Sequence, residues 1–332
     1  MTIRIGILGT RHVHAEGLAR IATQLGAEIV GAAERDATAH QAWQSLGICP
    51  VMDTQEMLDR VDAVIVAGTN AERVIDTLQV VEAGLPVLTE KPVAMTRESS
   101  DRLEAAARDA MLMTALPVRF AAAMQRARSA IRSGAIGTPL AGRGTNHGQF
   151  PGGWFGSAEE AGGGALADHT VHISDALCWL LDTRITRVYA ATNRRMHPEL
   201  AVDSVGVLTM DFASDFFASL DASWSRPESF HVWGDVWLEI VGTEGRLIID
   251  PMVRHLEIYD DAMGKLRTQG YDSWGMTHGM VEAFISYARE GGPSPVSLDE
   301  GLHATDVVLA AYDSASSGTT EQVRQRTPAF TS

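Results

Sequence analysis

Residues 166–180 read LADHTVHISDALCWL and gather Asp168, His169, His172 and Asp175 ahead of an apolar run. Asp168, His172, Asp175 and Trp179 recur at spacings of four, three and four, which puts them on one face of a helix. An aspartate one turn before a histidine can orient the imidazole and stabilise its charged form, so this face offers an acid–base pair. The plainer alternative is an aspartate in the first turn of a helix and a histidine packed in the core. Asp175 and Trp179 continue the face toward packing. His169 points elsewhere, and either lines a pocket or packs. Gly162-Gly163-Gly164 precede the helix and allow another stretch of backbone close to its start.

A second group with chemical capacity is Thr89-Glu90-Lys91-Pro92. It follows a short apolar run and sets a carboxylate and an amine at a strand exit, where Pro92 fixes φ and removes a donor. A lysine held there can donate a hydrogen bond to a substrate hydroxyl or a developing oxyanion. Taken alone, it is a surface lysine beside a loop proline.

The elements that must position these groups alternate. Ile3–Leu8, Ala27–Ala33, Val61–Ala67 and Pro86–Thr89 read as buried strands, and helical spacing covers Ala15–Leu25, a segment through Leu46, Glu72–Ala83 and Arg97–Ala110. Strand and helix in alternation predict parallel strands with crossover helices, hence a doubly wound sheet with its ligand beyond the carboxyl ends of the strands. The turn after the first strand, Gly9-Thr10-Arg11-His12-Val13-His14, is placed to hold phosphates, although Arg11 and His14 stand where a dinucleotide fingerprint has small residues. Glu34 ends the second strand, where a ribose diol is gripped; otherwise it is a solvated residue at a strand end.

At 332 residues, two domains are expected, divided here as 1–118 and 119–332. The formal charge of −15, without a basic cluster, argues against nucleic acid and anionic membrane surfaces as partners. No apolar run approaches the ~20 residues of a membrane span. The opening MTIRIGILG reads as a strand and not as a cleaved leader, and Cys49 and Cys178 read as isolated reduced thiols, so a cytoplasmic location is expected. His147 precedes a glycine- and aromatic-containing loop in TNHGQFPGGWF (145–155), where Trp154 and Phe155 either cover a sugar face or anchor the loop. Arg119 either reaches the cleft or bridges the domains. Trp224, Trp233 and Trp237 read as sheet packing. The polar tail from Thr319 reads as loosely held.

Several stretches together carry a resemblance: GILGT (6–10), GTN (68–70), EAGLPVLTEKPVA (82–94), RSGAIGTP (132–139), GGGALADHTVHISDALCWL (162–180), GTEGRLII (242–249) and AAYDSASSG (310–318). With them the chain resembles, over nearly its whole length, the Gfo/Idh/MocA family of NAD(P)-dependent oxidoreductases, which includes glucose-fructose oxidoreductase and inositol dehydrogenase. The resemblance implies a Rossmann domain followed by an α/β domain on a large, open, mostly antiparallel sheet, often the subunit interface, so a homo-oligomer (dimer or tetramer) is expected. It implies that Lys91, Asp168 and His172 are catalytic. Gly9, Thr10, Arg11, His12, Glu34, Arg35, Thr69, Asn70, Glu90 and Lys91 are expected at the cofactor, and Lys91, His147, Trp154, His169 and His172 at the substrate.

The sequence departs from the family where Arg11 replaces glycine in a loop that is shortened before His14-Ala15. It departs again at Arg73 and Thr170, and His169 adds an imidazole. The function implied is hydride transfer between NAD and a secondary alcohol or ketone of a sugar, cyclitol or related polyol. Glu34 would repel a 2′-phosphate, while Arg35 leaves NADP use open. A second reading is a non-catalytic cofactor- or sugar-binding regulator with the same fold. A metal site from His147, Asp168, His169 and His172 is a third, disfavoured because these side chains do not all face one ion easily; no metal is expected.

Overall fold

A computed structural model describes residues 2–230, 232–252, 255–260, 265–270 and 275–326, with side chains for all but 255–260 and 265–270. Strand β1 (Arg4–Leu8) leads to α1 (Ala15–Gln24), β2 (Glu28–Ala33), α2 (Ala37–Leu46), α3 (Thr54–Leu58), β3 (Ala63–Val66), α4 (Asn70–Glu82), β4 (Val87–Thr89), α5 (Arg97–Ala107) and β5 (Leu112–Thr114). These strands form a parallel sheet in the order β2-β1-β3-β4-β5. Val51 adds an isolated parallel bridge to Ala32. Counted as an outermost strand, it gives the order of a doubly wound dinucleotide-binding sheet. The strands AVIV and VLT are buried throughout, as expected where helices cover both faces.

The chain continues through a 3-10 turn (Pro117–Phe120), α6 (Ala122–Arg132), β6 (Pro139–Gly148), a second 3-10 turn (Gly153–Gly156), α7 (Ala158–Ala161) and α8 (Ala165–Leu181). Then follow β7 (Ile185–Asn193), β8 (Val205–Phe212), β9 (Phe217–Ser223), β10 (Gly234–Gly242), β11 (Arg246–Ile249), the hairpin β12 (His255–Asp260) and β13 (Lys265–Gly270), α9 (Met276–Glu290), α10 (Leu298–Ser317) and β14 (Glu321–Gln322). A seven-stranded sheet has the order β11-β10-β6-β9-β8-β7-β14, antiparallel except for β6 beside β9. Alternation along β8 and β9 buries one face and leaves Val207 and Phe217 exposed on the other.

Helix α8 lies on the buried face, packed against β6, β9 and α10. Most of its length is buried, polar residues included, so its titratable residues are desolvated by position alone. Its start is held from outside the helix. Gly164 N donates to Asp203 Oδ1 (3.1 Å) and to the Tyr312 hydroxyl (2.9 Å), and Leu166 N donates to Asp203 Oδ2 (2.8 Å). Asp203 thus caps α8 across 37 positions of chain. A Cβ on Gly164 would lie 1.9 Å from the Asp203 carbonyl, so glycine is required for this approach.

Helix α10 packs on α8 and β7 and also on α5 and β5, tying the two sheets together. The tail is held more firmly than its composition predicts. Strand β14 pairs with β7, and the buried Arg326 forms ion pairs with Asp306 and Glu104; residues 327–332 of that tail lie outside the described residues. No helix among the described residues is long and apolar enough to cross a membrane.

Gly164→Ala should force a main-chain shift worth about 1–3 kcal/mol and lower Tm by about 5 °C in thermal unfolding. Gly17→Ala, in α1 with nothing within 4 Å of its would-be Cβ, should leave Tm unchanged or raise it slightly. An unchanged Tm for Gly164→Ala would show that α8 is not seated on Asp203.

Candidate active site

The exit of β4 is fixed by its neighbours. Glu90 N donates to Val66 O (3.1 Å), the hydroxyls of Thr77 and Thr89 share a hydrogen bond (2.8 Å), and the Lys91–Pro92 peptide is cis. Arg73, fully buried on α4, donates to Pro92 O (2.9 Å), Gly68 O (3.2 Å) and Asn70 Oδ1. This departure from the family pattern therefore joins the exits of β3 and β4. Burial lowers the Arg73 pKa to about 10, and the acidic groups around it, Glu90 foremost, oppose that shift.

The exit aims Lys91 at α8. Lys91 Nζ donates to Asp168 Oδ1 at 2.5 Å and to the Asp168 carbonyl at 3.1 Å, while Trp224 Nε1 donates to Asp168 Oδ2 at 3.0 Å. Both members of the ion pair are buried. Burial alone would raise the Asp168 pKa, but the charges of Lys91 and His169 and the two donors hold it well below the usual carboxylate range. The expectation that Asp168 orients His172 is corrected by these partners, because its carboxylate is committed to Lys91 and Trp224. The nearest imidazole is that of His169, with Nε2 3.3 Å from Asp168 Oδ2.

His172 lies one turn further along α8 and lines the same cleft as Lys91. Desolvation, and then the charge of Lys91, push its pKa well below the usual imidazole value against the opposing pull of Asp168. The ring is therefore neutral near pH 7, and its Nδ1 has no partner among the described residues. Asp175, expected only to pack, is a buried partner of Arg119, which also bonds Glu300 and the Pro295 carbonyl. Arg119 is thus a bridge that does not reach the cleft. Burial dominates at Asp175 and raises its pKa to about 6 despite that partner.

The loop after β1 is ordered by its own bonds. Gly9 has φ +75°, and a Cβ there would lie 2.5 Å from Gly68 Cα, so the exits of β1 and β3 touch. Glu34 Oε2 accepts from Thr10 N (2.6 Å) and Thr10 Oγ1 (2.8 Å), which sets the strand-end carboxylate beside the loop. Arg35 pairs with Asp76 (2.6 Å) and bonds Gln79. Thr69 caps α4 in a reciprocal box with Glu72, and Asn70 Nδ2 donates to the Ala161 carbonyl (2.7 Å). Arg11, expected at the cofactor, pairs with Glu160 at 2.5 Å. His12 is buried against Trp154 and Phe155, and burial holds its imidazole well below its usual pKa. Glu90 accepts from His14 Nδ1 (3.0 Å) and Lys91 N (3.1 Å); burial would raise its pKa, but the adjacent histidines hold it well below the usual range.

Two expected substrate contacts are placed elsewhere. Trp154 does not line the cleft; its Nε1 donates to Arg11 O (2.9 Å) and its ring stacks on Phe155, which does line it. His147 sits on β6 between Asn146 and Gly148, but its ring meets Asp221 (3.1 Å) and Asp235 (3.4 Å). Neighbouring Gly148 abuts His169 of α8, so pleat alternation turns His147 to the opposite sheet face, and the four-residue metal set does not assemble. Desolvation would lower the His147 pKa, yet the two carboxylates raise it to about 9. Another trio, His12, His14 and Glu90, brings potential ligand atoms within 4.8 Å of one another. His169 does line the cleft, as do Asn146 and Trp233, which sequence reasoning had not placed there. Asp203 and Trp224, which seat α8 and Asp168, were also missed; their partners are distant in sequence and no local motif marks them.

The cleft runs from the β1 loop past Lys91 and His172 to Trp233. His12 Nε2, Asn146 Oδ1 and His172 Nδ1, all on lining residues, are buried polar atoms without partners among the described residues. Such atoms in a roomy cleft fit bound polar ligands. Glu34 beside the loop and Lys91 at the β4 exit fit the ribose and nicotinamide ends of a dinucleotide.

Residues 3–116 match an oxidoreductase family with an NAD-binding Rossmann fold, and residues 124–248 match the GFO/IDH/MocA C-terminal domain. The 1,5-anhydro-D-fructose reductase of Ensifer adhaerens is 32% identical over 256 residues, covering 74% of this chain and 75% of that protein. The D-glucoside 3-dehydrogenase of Escherichia coli K12 is 27% identical over 297 residues, covering 80% and 81%. GenD2 from gentamicin A biosynthesis, solved in complex with NAD, superposes with TM-score 0.84 at 24% identity, covering 98% of this chain and 97% of that one. The myo-inositol 2-dehydrogenase structure from Lactobacillus plantarum gives TM-score 0.81 at 20% identity, covering 98% and 100%. At these identities the two structures establish the fold.

The histidines give opposite pH signatures. His172 is neutral when folded but protonates near 6.5 when unfolded, so the stability tied to it is lost as pH falls below about 6.5. His147, raised to about 9, contributes stability that is complete below about 6.5 and is lost as pH rises through 9. His147→Gln should therefore lower Tm at pH 6 and change it little at pH 9.5, whereas His172→Gln should compare better with the parent at pH 5.5 than at pH 7.5. Parallel pH profiles for the two variants would contradict both assignments.

Proposed function

The chain belongs to the GFO/IDH/MocA oxidoreductase family, and on that footing we propose that it transfers a hydride between NAD and a secondary alcohol or ketone of a sugar, cyclitol or related polyol. The observation that carries this reading is the meeting of Lys91 with Asp168, 77 positions apart, in a cleft that His172 also lines. Of the three N–H donors of Lys91, two are spent on Asp168, and the third is available to a substrate oxygen. Asp168 is a positioning residue, holding the ammonium by its carboxylate and its carbonyl. His172 is neutral, the form that accepts the hydroxyl proton, and the negative charge of Asp168 helps retain that proton on the ring. The nicotinamide, when bound, supplies the hydride acceptor. In the reductive direction His172 returns the proton and Lys91 polarises the carbonyl.

For the cofactor, Glu34 supports NAD over NADP. Its carboxylate lies where a ribose diol is gripped, and the nearby cation that could receive a 2′-phosphate, Arg35, is engaged by Asp76 and Gln79. The exposed face of the seven-stranded sheet, with Tyr189, Val207, Phe217 and Ile248, is the surface we assign to self-association.

His172→Ala should lower kcat on a responsive polyol by ~10²–10⁴-fold while leaving NAD affinity nearly intact. Lys91→Ala should also lower kcat, and the double variant should lose less than the product of the two single losses, because groups acting on one oxygen are not additive. Multiplicative losses, or turnover within a few-fold of the parent in His172→Ala, would leave the regulator reading in front. Separately, fluorescence titration should show NADH bound more tightly than NADPH, with the gap narrowed in Glu34→Ala. Equal affinities in the parent protein would remove Glu34 from the cofactor argument.

A further inference from the structure

We propose that the outer end of the cleft is a subsite for an uncharged ring beyond the one that reacts, so that the preferred substrate is a neutral glycoside and not a free, phosphorylated or carboxylated sugar. This rests on the reading that the cleft accepts a sugar at Lys91 and His172.

The first observation is Trp233. Its side chain lines the cleft yet is 45% exposed, in contrast to the buried Trp43, Trp154 and Trp224. The seat is built. Trp233 stands perpendicular to the His169 ring with centroids 5.8 Å apart, and its carbonyl accepts from Gln149 N at 3.0 Å. A Cβ on Gly148 would lie 2.8 Å from Trp233 Cη2 and 3.0 Å from His169 Cε1, so glycine is what lets the indole and imidazole share that ground. His169 in turn lies 3.3 Å from Asp168, the partner of Lys91. Trp233 is therefore one imidazole removed from the reacting centre, about where a second ring joined to the first would arrive. A fixed indole with open area offers the apolar face of a sugar, or an aromatic aglycone, a surface to stack on.

The second observation is the polar floor. Asn146 donates through Nδ2 to the Asp235 carbonyl (2.9 Å), which leaves its buried Oδ1 without a partner among the described residues. An acceptor in that state is matched by a hydroxyl and opposed by an anion.

The third observation is charge. Among the described lining residues Lys91 is the only lysine or arginine, and Asp168 neutralises it. Glu90 adds a further carboxylate to the lining, whereas Asp235, the register partner of His147, turns its carboxylate to the far face of the sheet with His147 and Arg226. A phosphate or carboxylate on the substrate would find no uncommitted cation among the described lining residues and would meet the Glu90 carboxylate instead.

The test is calorimetric binding, with NAD present, of glucose, galactose, their phenyl α- and β-glycosides, and glucose 6-phosphate. At least one phenyl glycoside should bind ~10-fold more tightly than its parent hexose, from stacking and apolar burial together. In Trp233→Ala the advantage should fall to within about 2-fold, and Trp233→Phe should keep part of it. Glucose 6-phosphate should bind at least ~10-fold more weakly than glucose. No glycoside advantage, one that survives in Trp233→Ala, tight binding of the phosphate, or no binding of any of these sugars overturns the proposal. If the binding pattern holds but no hydride transfer to NAD follows with any sugar, the subsite stands and the oxidoreductase reading is what fails. Turnover of free sugars without any glycoside advantage has the reverse meaning.

Discussion

A buried ammonium and a buried carboxylate, Lys91 Nζ and Asp168 Oδ1 at 2.5 Å, join the end of the parallel sheet to the first turn of α8. Taking two charges out of water costs several kcal/mol each, and their attraction offsets that cost only when the geometry is good and the remaining hydrogen-bonding capacity is met. Here Trp224 serves the second carboxylate oxygen and the Asp168 carbonyl takes another ammonium proton. Removal of either partner would leave an uncompensated buried charge. The fold is accordingly arranged so that both ends arrive in register. Arg73 pins the β4 exit to the β3 exit, and Asp203 with Tyr312 pins the start of α8.

The same pair sets the chemistry of its neighbour. With the Asp168 carboxylate turned to Lys91, the imidazole of His172 experiences desolvation and a nearby cation more strongly than a nearby anion, and it stays neutral. A cleft that holds a neutral base beside a positively charged donor suits proton removal from an alcohol whose oxygen is gathering negative charge.

The loop after β1 is held by residues from far along the chain. Where the family pattern has glycine, Arg11 is drawn off to Glu160, and its carbonyl is held by Trp154 of the second 3-10 turn. His12 fills the space beneath Trp154 and Phe155, and Asn70 reaches the Ala161 carbonyl. The loop is therefore braced from outside the parallel sheet. Its conformation and the seating of the segment at 153–161 depend on each other.

The sequence by itself determined what is periodic or local. Alternating buried runs specified the parallel sheet, since period and turn chemistry act over a few residues, and the Glu-Lys-Pro and Asp-x-x-x-His stretches marked Lys91, Asp168 and His172. Gly9 and the Gly162–Gly164 run were legible as points of close approach, although not what approaches them. Which partner each group takes was decided only in three dimensions. Helical spacing offered His172 to Asp168, but a cation delivered from β4 outcompetes a neutral imidazole for a buried carboxylate. The pleat of β6 sent His147 to the far face and Asn146 into the cleft, a difference of one residue that no composition reveals. Trp224, Asp203 and Trp233 act through contacts 56, 37 and 64 positions away in sequence (233 − 169 for the last), and only the packed chain brings such pairs within reach.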